Sequence, residues 1–141
     1  MVPKTKKEAP EPRSMPIISF SGTTGALLAL RQRCTRRDWN DAYARRFKAG
    51  MEVQAYDRSP RIGGIPMAII RLTCDPYLEL TGQMPETDYE AEGLAWMEEK
   101  ELLIRGKHPW QFWREWKVAN EQVYVVRFQV VKGLSATPSK S

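Results

Sequence analysis

The sequence predicts a small α+β domain built on a curved or closed sheet. Strand-like segments are few and are separated along the chain by helix-like ones, and the folded region has the size of a single domain. The chain has 141 residues, 42% hydrophobic and 28% charged, with a net charge of +5. That is enough for one core and ordinary for a globular protein. No apolar run approaches the roughly 20 residues needed to span a bilayer. Lys4 to Arg13 is charged and broken by prolines where a signal peptide would be apolar. No membrane association and a cytoplasmic location are therefore expected. Cys34 and Cys74 lack CxxC spacing, so neither a disulfide framework nor a metal site is expected, and nothing calls for a cofactor.

Residues 1–16 hold four Lys/Arg, two Glu and four prolines, and read as a disordered tail. Residues 134–141 read as a second flexible tail, which leaves 17–133 as the domain. Ile17 to Phe20 is a strand by its β-branched and aromatic content. Thr23 or Thr24 then caps a helix over Gly25 to Gln32, with Leu27, Leu28 and Leu30 on its buried side. Asn40-Asp41 caps a short helix to Lys48, in which Tyr43 and Phe47 share a face and Gly50 is the terminator. Met51 to Tyr56 alternates, with Met51, Val53 and Ala55 inward, as in a half-buried strand. Met67 to Cys74 is an apolar run of strand length. Between them, Asp57 to Pro66 reads as a hairpin loop carrying Arg58 and Arg61, with Gly63-Gly64 supplying permissive backbone.

Thr87 to Glu90 fits a capping box that opens a helix with Ala91, Leu94, Ala95 and Leu102 on one face. Pro109 starts another helix, whose Trp110, Phe112, Trp113 and Trp116 read as core packing in preference to a base-stacking platform. Val123 to Val131 is a strand, with Tyr124, Val126, Phe128 and Val130 facing one way and Arg127 and Gln129 the other.

Charge is the feature the scaffold does not explain. Arg31 to Lys48 holds seven Lys/Arg against two Asp, while Glu86 to Glu101 holds seven acids against Lys100 alone. The densest part, Arg31 to Trp39, belongs on a surface or in a cleft, since buried arginine must be paired. Such a footprint suits a polyanion such as nucleic acid. The plainer reading is that the two segments neutralise each other across the fold.

Several elements in order carry a family resemblance. They are the helix ending in Thr35-Arg36-Arg37, then Phe47 to Val53, the pair around Asp57 to Gly64, Glu90-Ala91-Glu92-Gly93, Phe112-Trp113, and Val126-Arg127-Phe128. Together they resemble the ASCH domain of the PUA-like superfamily, over about Ile17 to Val131. The resemblance implies a small β-barrel with flanking helices and a cleft facing RNA or a nucleotide. It also implies that Thr35, Arg37 and Glu92 line that cleft. The family's lysine falls on Gln32, next to Arg33. One ASCH branch resembles an amidohydrolase acting on N4-acetylcytidine through a Lys, a Thr and a Glu. A glutamine amide cannot replace an activated amine, which turns the expectation from enzyme to binder.

Three functions follow as expectations. A binding module would use Arg36, Arg37, Arg33, Arg58 and Arg61 on phosphates, with Gln32, Thr35 and Glu92 toward the base; single-stranded RNA suits such a cleft better than duplex DNA. A hydrolase of the ASCH type, an amidohydrolase or ribonuclease, would use Glu92 as general base and Thr35 to orient its substrate. The sole histidine, His108, precedes Pro109 at a helix start and is a poor catalyst. An adaptor would bind a protein partner through its acidic and Trp-rich helices. Against the binding module stands a structural role for Glu92, as the internal partner of Arg37. A monomer is expected, though nothing in the sequence fixes the assembly.

Overall fold

The computed structural model describes residues 15–134; the two expected tails lie almost wholly outside them. Its centre is β6 (Gln122–Gly133), twelve residues of largely β-branched and aromatic sequence, long enough to serve several partners. The C-terminal half of β6 pairs antiparallel with β4 (Pro66–Leu72), and its N-terminal half pairs with β5 (Tyr77–Leu80). β2 (Cys34–Arg37) takes the remaining side, with Cys34 opposite Arg127 and Arg37 opposite Tyr124. β3 (Glu52–Tyr56) pairs antiparallel with β4, and β1 (Ile17–Ser19) runs parallel to β3. The order β1-β3-β4-β6-β2, with β5 also on β6, curls into a half-barrel. Register shifts at Ala55/Tyr56 and at Ile69/Ile70 supply local bends.

The concave side holds the main core. Val53 and Ala55 on β3, Ala68, Ile70 and Leu72 on β4, and Val126 and Phe128 on β6 pack on Ile18, Phe20, Leu27 and Phe47. The alternation expected for β3 is present, since Val53 and Ala55 are both fully buried. The expected cap at Asn40 is present too: its side chain accepts from Tyr43 N at 2.8 Å and opens α2 (Asp41–Ala44). Trp39 stacks on Phe47 with ring centroids 4.5 Å apart and closes that end. A second core of Met84, Leu94, Met97, Ile104 and Trp113 joins α4 (Leu94–Glu99) to α5 (Pro109–Ala119). Trp113 therefore packs as core, while Trp110, one turn earlier, is exposed.

Four expectations need correction. The first helix, α1 (Thr24–Leu28), is shorter than expected because Leu30 adopts φ 63 and turns the chain, so Leu28 and Leu30 are exposed while Ala26 and Leu27 are buried. The arginine stretch is a strand, not merely the end of a helix, and Cys34, Thr35 and Arg36 are all buried. The capping box at Thr87 does not form: Thr87 has helical backbone angles and makes no side-chain cap bond, and the Glu90 carboxylate is held by Arg31 at 2.7 Å. The helix it would open is instead two short ones, α3 (Asp88–Ala91) and α4, broken at Gly93, whose φ is 88, and Leu102 lies beyond them, exposed. β5 was not anticipated; its exposed, mixed sequence has no alternation to read. No helix among the described residues is long and apolar enough to cross a membrane.

Candidate functional site

Alternation along β2 sends Cys34 and Arg36 to one side of the strand and Thr35 and Arg37 to the other. On the first side Arg36 is enclosed, its side chain 0% exposed. Its Nη2 lies 2.8 Å from Glu79 Oε1 and 2.5 Å from Asp88 Oδ2, and its Nη1 donates to Glu92 Oε2 at 2.8 Å. Arg127 adds a second guanidinium on Asp88, through Nη1 at 3.1 Å and Nη2 at 2.7 Å, with its Nε on the Tyr77 hydroxyl. The Cys34 thiol donates to Glu92 Oε2 at 3.6 Å.

The electrostatics of this cluster follow from its count. Three carboxylates share two guanidinium groups in a dehydrated space, one negative charge more than the cations balance. Burial pushes the Glu92 carboxyl up to about 7, against the pull of Arg36 and Arg37. Asp88 is held below the usual carboxylate range despite its burial, because Arg127 and Arg36 both donate to it. Arg36 keeps its charge: burial opposes it, but Glu92 and Asp88 outweigh burial. Burial and Glu92 push the Cys34 thiol up, so it serves as a hydrogen-bond donor and not as a nucleophile. These carboxylates converge on arginine, and no group of His, Cys, Asp and Glu among the described residues is arranged to hold a metal ion.

On the other side, a cleft of about 620 Å³ opens between β2, the β1–α1 loop and the second core. Gln32, Thr35, Arg37 and Glu92 all line it, with Phe112 and Trp116 of α5 forming an aromatic wall. Gln32 is 1% exposed; its Nε2 donates to Cys34 O at 3.0 Å, which fixes the amide orientation. Its Oε1 has no partner among the described residues. Arg37 donates from Nε to Thr35 Oγ1 at 3.0 Å and from Nη2 to Ser19 O at 2.5 Å, and lies over the Phe20 ring. No carboxylate among the described residues hydrogen-bonds it, and burial lowers its pKa. Glu92 is thus held by Oε2 on the cluster side while its residue lines the cleft, so a carboxyl that titrates near neutrality borders the open space.

Neither a family model nor a curated protein matches this sequence. Among solved structures, the crystal structure of protein EF3133 from Enterococcus faecalis V583, described with the family model DUF984, matches with a TM-score of 0.54. The match covers 96% of this chain and 91% of that one at 18% identity. The likeness is one of fold. Both chains share it over nearly their whole lengths, so the curled sheet and its flanking helices form one unit.

Of the site residues expected from the sequence, Gln32, Thr35, Arg36, Arg37 and Glu92 come together at this cleft. Arg36 borders it but is fully engaged by carboxylates, so it holds Glu92 and leaves no donor face for phosphate. The internal partner of Glu92 is therefore Arg36, not Arg37. Arg33 lies apart, in a groove with Arg127 and Gln129. Arg58 and Arg61 are exposed on the β3–β4 loop, where Arg58 donates to Ile62 O at 3.1 Å, and they do not line the cleft. The plainer charge reading holds for part of the basic segment: Arg31 pairs with Glu90 and Glu99, and Arg36 with Asp88 and Glu92. Sequence reasoning missed Arg105, which also lines the cleft, and Asp88, Glu79 and Arg127, which complete the cluster. The Ile104-Arg105-Gly106-Lys107 turn was the available signal for Arg105; nothing local signals the other three.

Proposed function

We propose that this protein is an ASCH-like, PUA-like module that binds RNA or a nucleotide in the cleft lined by Gln32, Thr35, Arg37 and Glu92. One observation carries the reading: Gln32, which lines the cleft, holds a buried amide oxygen with no partner among the described residues, and the same cleft holds Arg37, which no described carboxylate hydrogen-bonds. A buried acceptor left unpaired is costly, and a ligand donor such as an exocyclic amine satisfies it. Glu92 and Thr35 supply further donors and acceptors beside it. Phe112 and Trp116 offer ring faces to a base. The glutamine at position 32 favours holding a ligand over turning it over, because it supplies no activated amine.

The test is the affinity of the protein for short single-stranded RNA over a salt series, with Arg37→Ala and Arg58→Ala in parallel. Arg37→Ala is expected to lower affinity and reduce the salt slope by about one, and Arg58→Ala to leave both nearly unchanged. Absence of RNA affinity at low salt overturns the reading.

Hydrolysis is the second reading, favoured by the Glu92 carboxyl pushed up to about 7, where a general base or acid works at neutral pH. Incubation with N4-acylated cytidines and with labelled RNA tests it. Turnover lost in Glu92→Gln supports the role, and turnover that survives that change removes it.

A further inference from the structure

Arg105 occupies a turn that favours glycine or asparagine. Arg105 and Gly106 have φ 52 and 77, and Ile104 and Lys107 exchange backbone hydrogen bonds at 2.8 and 3.0 Å around them. Positive φ at both central residues matches the tight type I′ turn, where an arginine carries a backbone cost that glycine avoids. The turn holds the exposed Arg105 at the cleft, and its guanidinium has no ion pair or hydrogen bond among the described residues. It lies close enough to Arg37 that the two cations disfavour each other.

Arg37 is equally short of a counter-charge. Its bonds go to a hydroxyl and a carbonyl, both neutral, and occupy two of its five N–H donors. Glu92, the carboxylate whose charge acts on Arg37, is tied to Arg36 and Cys34. Asp38 and Glu121 also border the cleft, but both are exposed on its rim and neither is paired to Arg37. Arg36 and Arg127 are spent on the carboxylates of their own cluster, whereas Arg37 and Arg105 face the same space and no carboxylate among the described residues is hydrogen-bonded to either.

From this geometry we infer that Arg37 and Arg105 form a subsite for a phosphomonoester, the doubly charged terminal phosphate of an RNA end or of a nucleoside monophosphate. The inference rests on the nucleotide reading above and adds which phosphate is taken. An internal phosphodiester carries one negative charge and must continue on both sides, whereas a terminal phosphate carries close to two at neutral pH and matches two guanidinium groups. With the phosphate there, Gln32 and the Phe112–Trp116 wall remain to line the space for the attached nucleoside.

The experiment compares four probes of one sequence by titration calorimetry: a short RNA with a 5′-phosphate, the same RNA with a 3′-phosphate, the same RNA with hydroxyl ends, and the nucleoside monophosphate. At least one phosphorylated RNA or the monophosphate is expected to bind roughly tenfold or more tightly than the hydroxyl-ended RNA, the value of one charge-assisted hydrogen bond. The arm that gains identifies the source. Arg105→Gln, an exposed position that leaves the core untouched, is expected to abolish the difference between phosphorylated and hydroxyl-ended RNA. Arg37→Lys, which keeps the charge but loses the fork, is expected to reduce it. Equal affinity for phosphorylated and hydroxyl ends overturns the subsite and leaves the RNA reading standing; binding of none of the four overturns both.

Discussion

Arg36 Nη1 and Glu92 Oε2 are 2.8 Å apart, and the thiol of Cys34 reaches the same oxygen. This pair separates a closed electrostatic cluster from an open cleft, and Glu92 belongs to both. Its backbone position is set by the break between α3 and α4, its carboxyl by Arg36.

Removing Arg36 leaves Glu79, Asp88 and Glu92 facing one another without their shared cation. Arg36→Met is expected to cost about 3–5 kcal/mol, the range for breaking a buried ion pair by deleting one partner. Urea denaturation measures it, with Arg33→Ala as an exposed control expected to change nothing. A midpoint for Arg36→Met equal to that of the wild type would show that the cluster does not stabilise the fold.

Glu92 gives stability a pH dependence of definite sign. Its carboxyl is raised from the usual 4.5 to about 7 in the folded protein, so over that window the folded state binds a proton that the unfolded state releases. Stability from this group is full below about pH 4.5 and is lost as pH rises to about 7, by on the order of 3 kcal/mol at most. Asp88 acts in the opposite sense below that window, because its carboxyl is lowered. Thermal melts from pH 5 to 7.5 should therefore show a fall that Glu92→Gln flattens.

Gln32→Leu separates binding from folding. The change removes the bond from Nε2 to Cys34 O but also removes the unpartnered Oε1, and these two effects oppose each other. Stability is expected to move by no more than about 1 kcal/mol, while affinity for the cleft ligand drops roughly tenfold. Calorimetric titration and a melt on one sample compare the two directly.

Gly93→Ala tests the hinge that places Glu92. Gly93 has φ 88, and an added Cβ would meet the Ala26 Cβ at 2.7 Å, so strain and a clash coincide. The expected cost is about 2–3 kcal/mol from the left-handed backbone and the crowding together. Because α3 and α4 must shift to relieve it, ligand affinity should fall with stability. A variant that loses stability at full affinity would separate the hinge from the site.

The sequence by itself determined the elements whose signals are local. The alternation of β3, the apolar run of β4, the cap at Asn40 and the proline start of α5 each depend on neighbours within a few residues, and each is present. It also singled out Gln32, Thr35, Arg37 and Glu92, although these are scattered over sixty residues, because their order resembles a known pattern. Tertiary structure alone decided what became of the charge. Arg36 and Arg37 are adjacent and chemically identical, yet strand alternation sends one among Glu79, Asp88 and Glu92 and the other into the cleft with Arg105. Which arginine is neutralised depends on carboxylates more than forty positions away and on a sheet that has to curl before they meet; ion pairs, unlike helix and strand periodicity, leave no local mark in the chain.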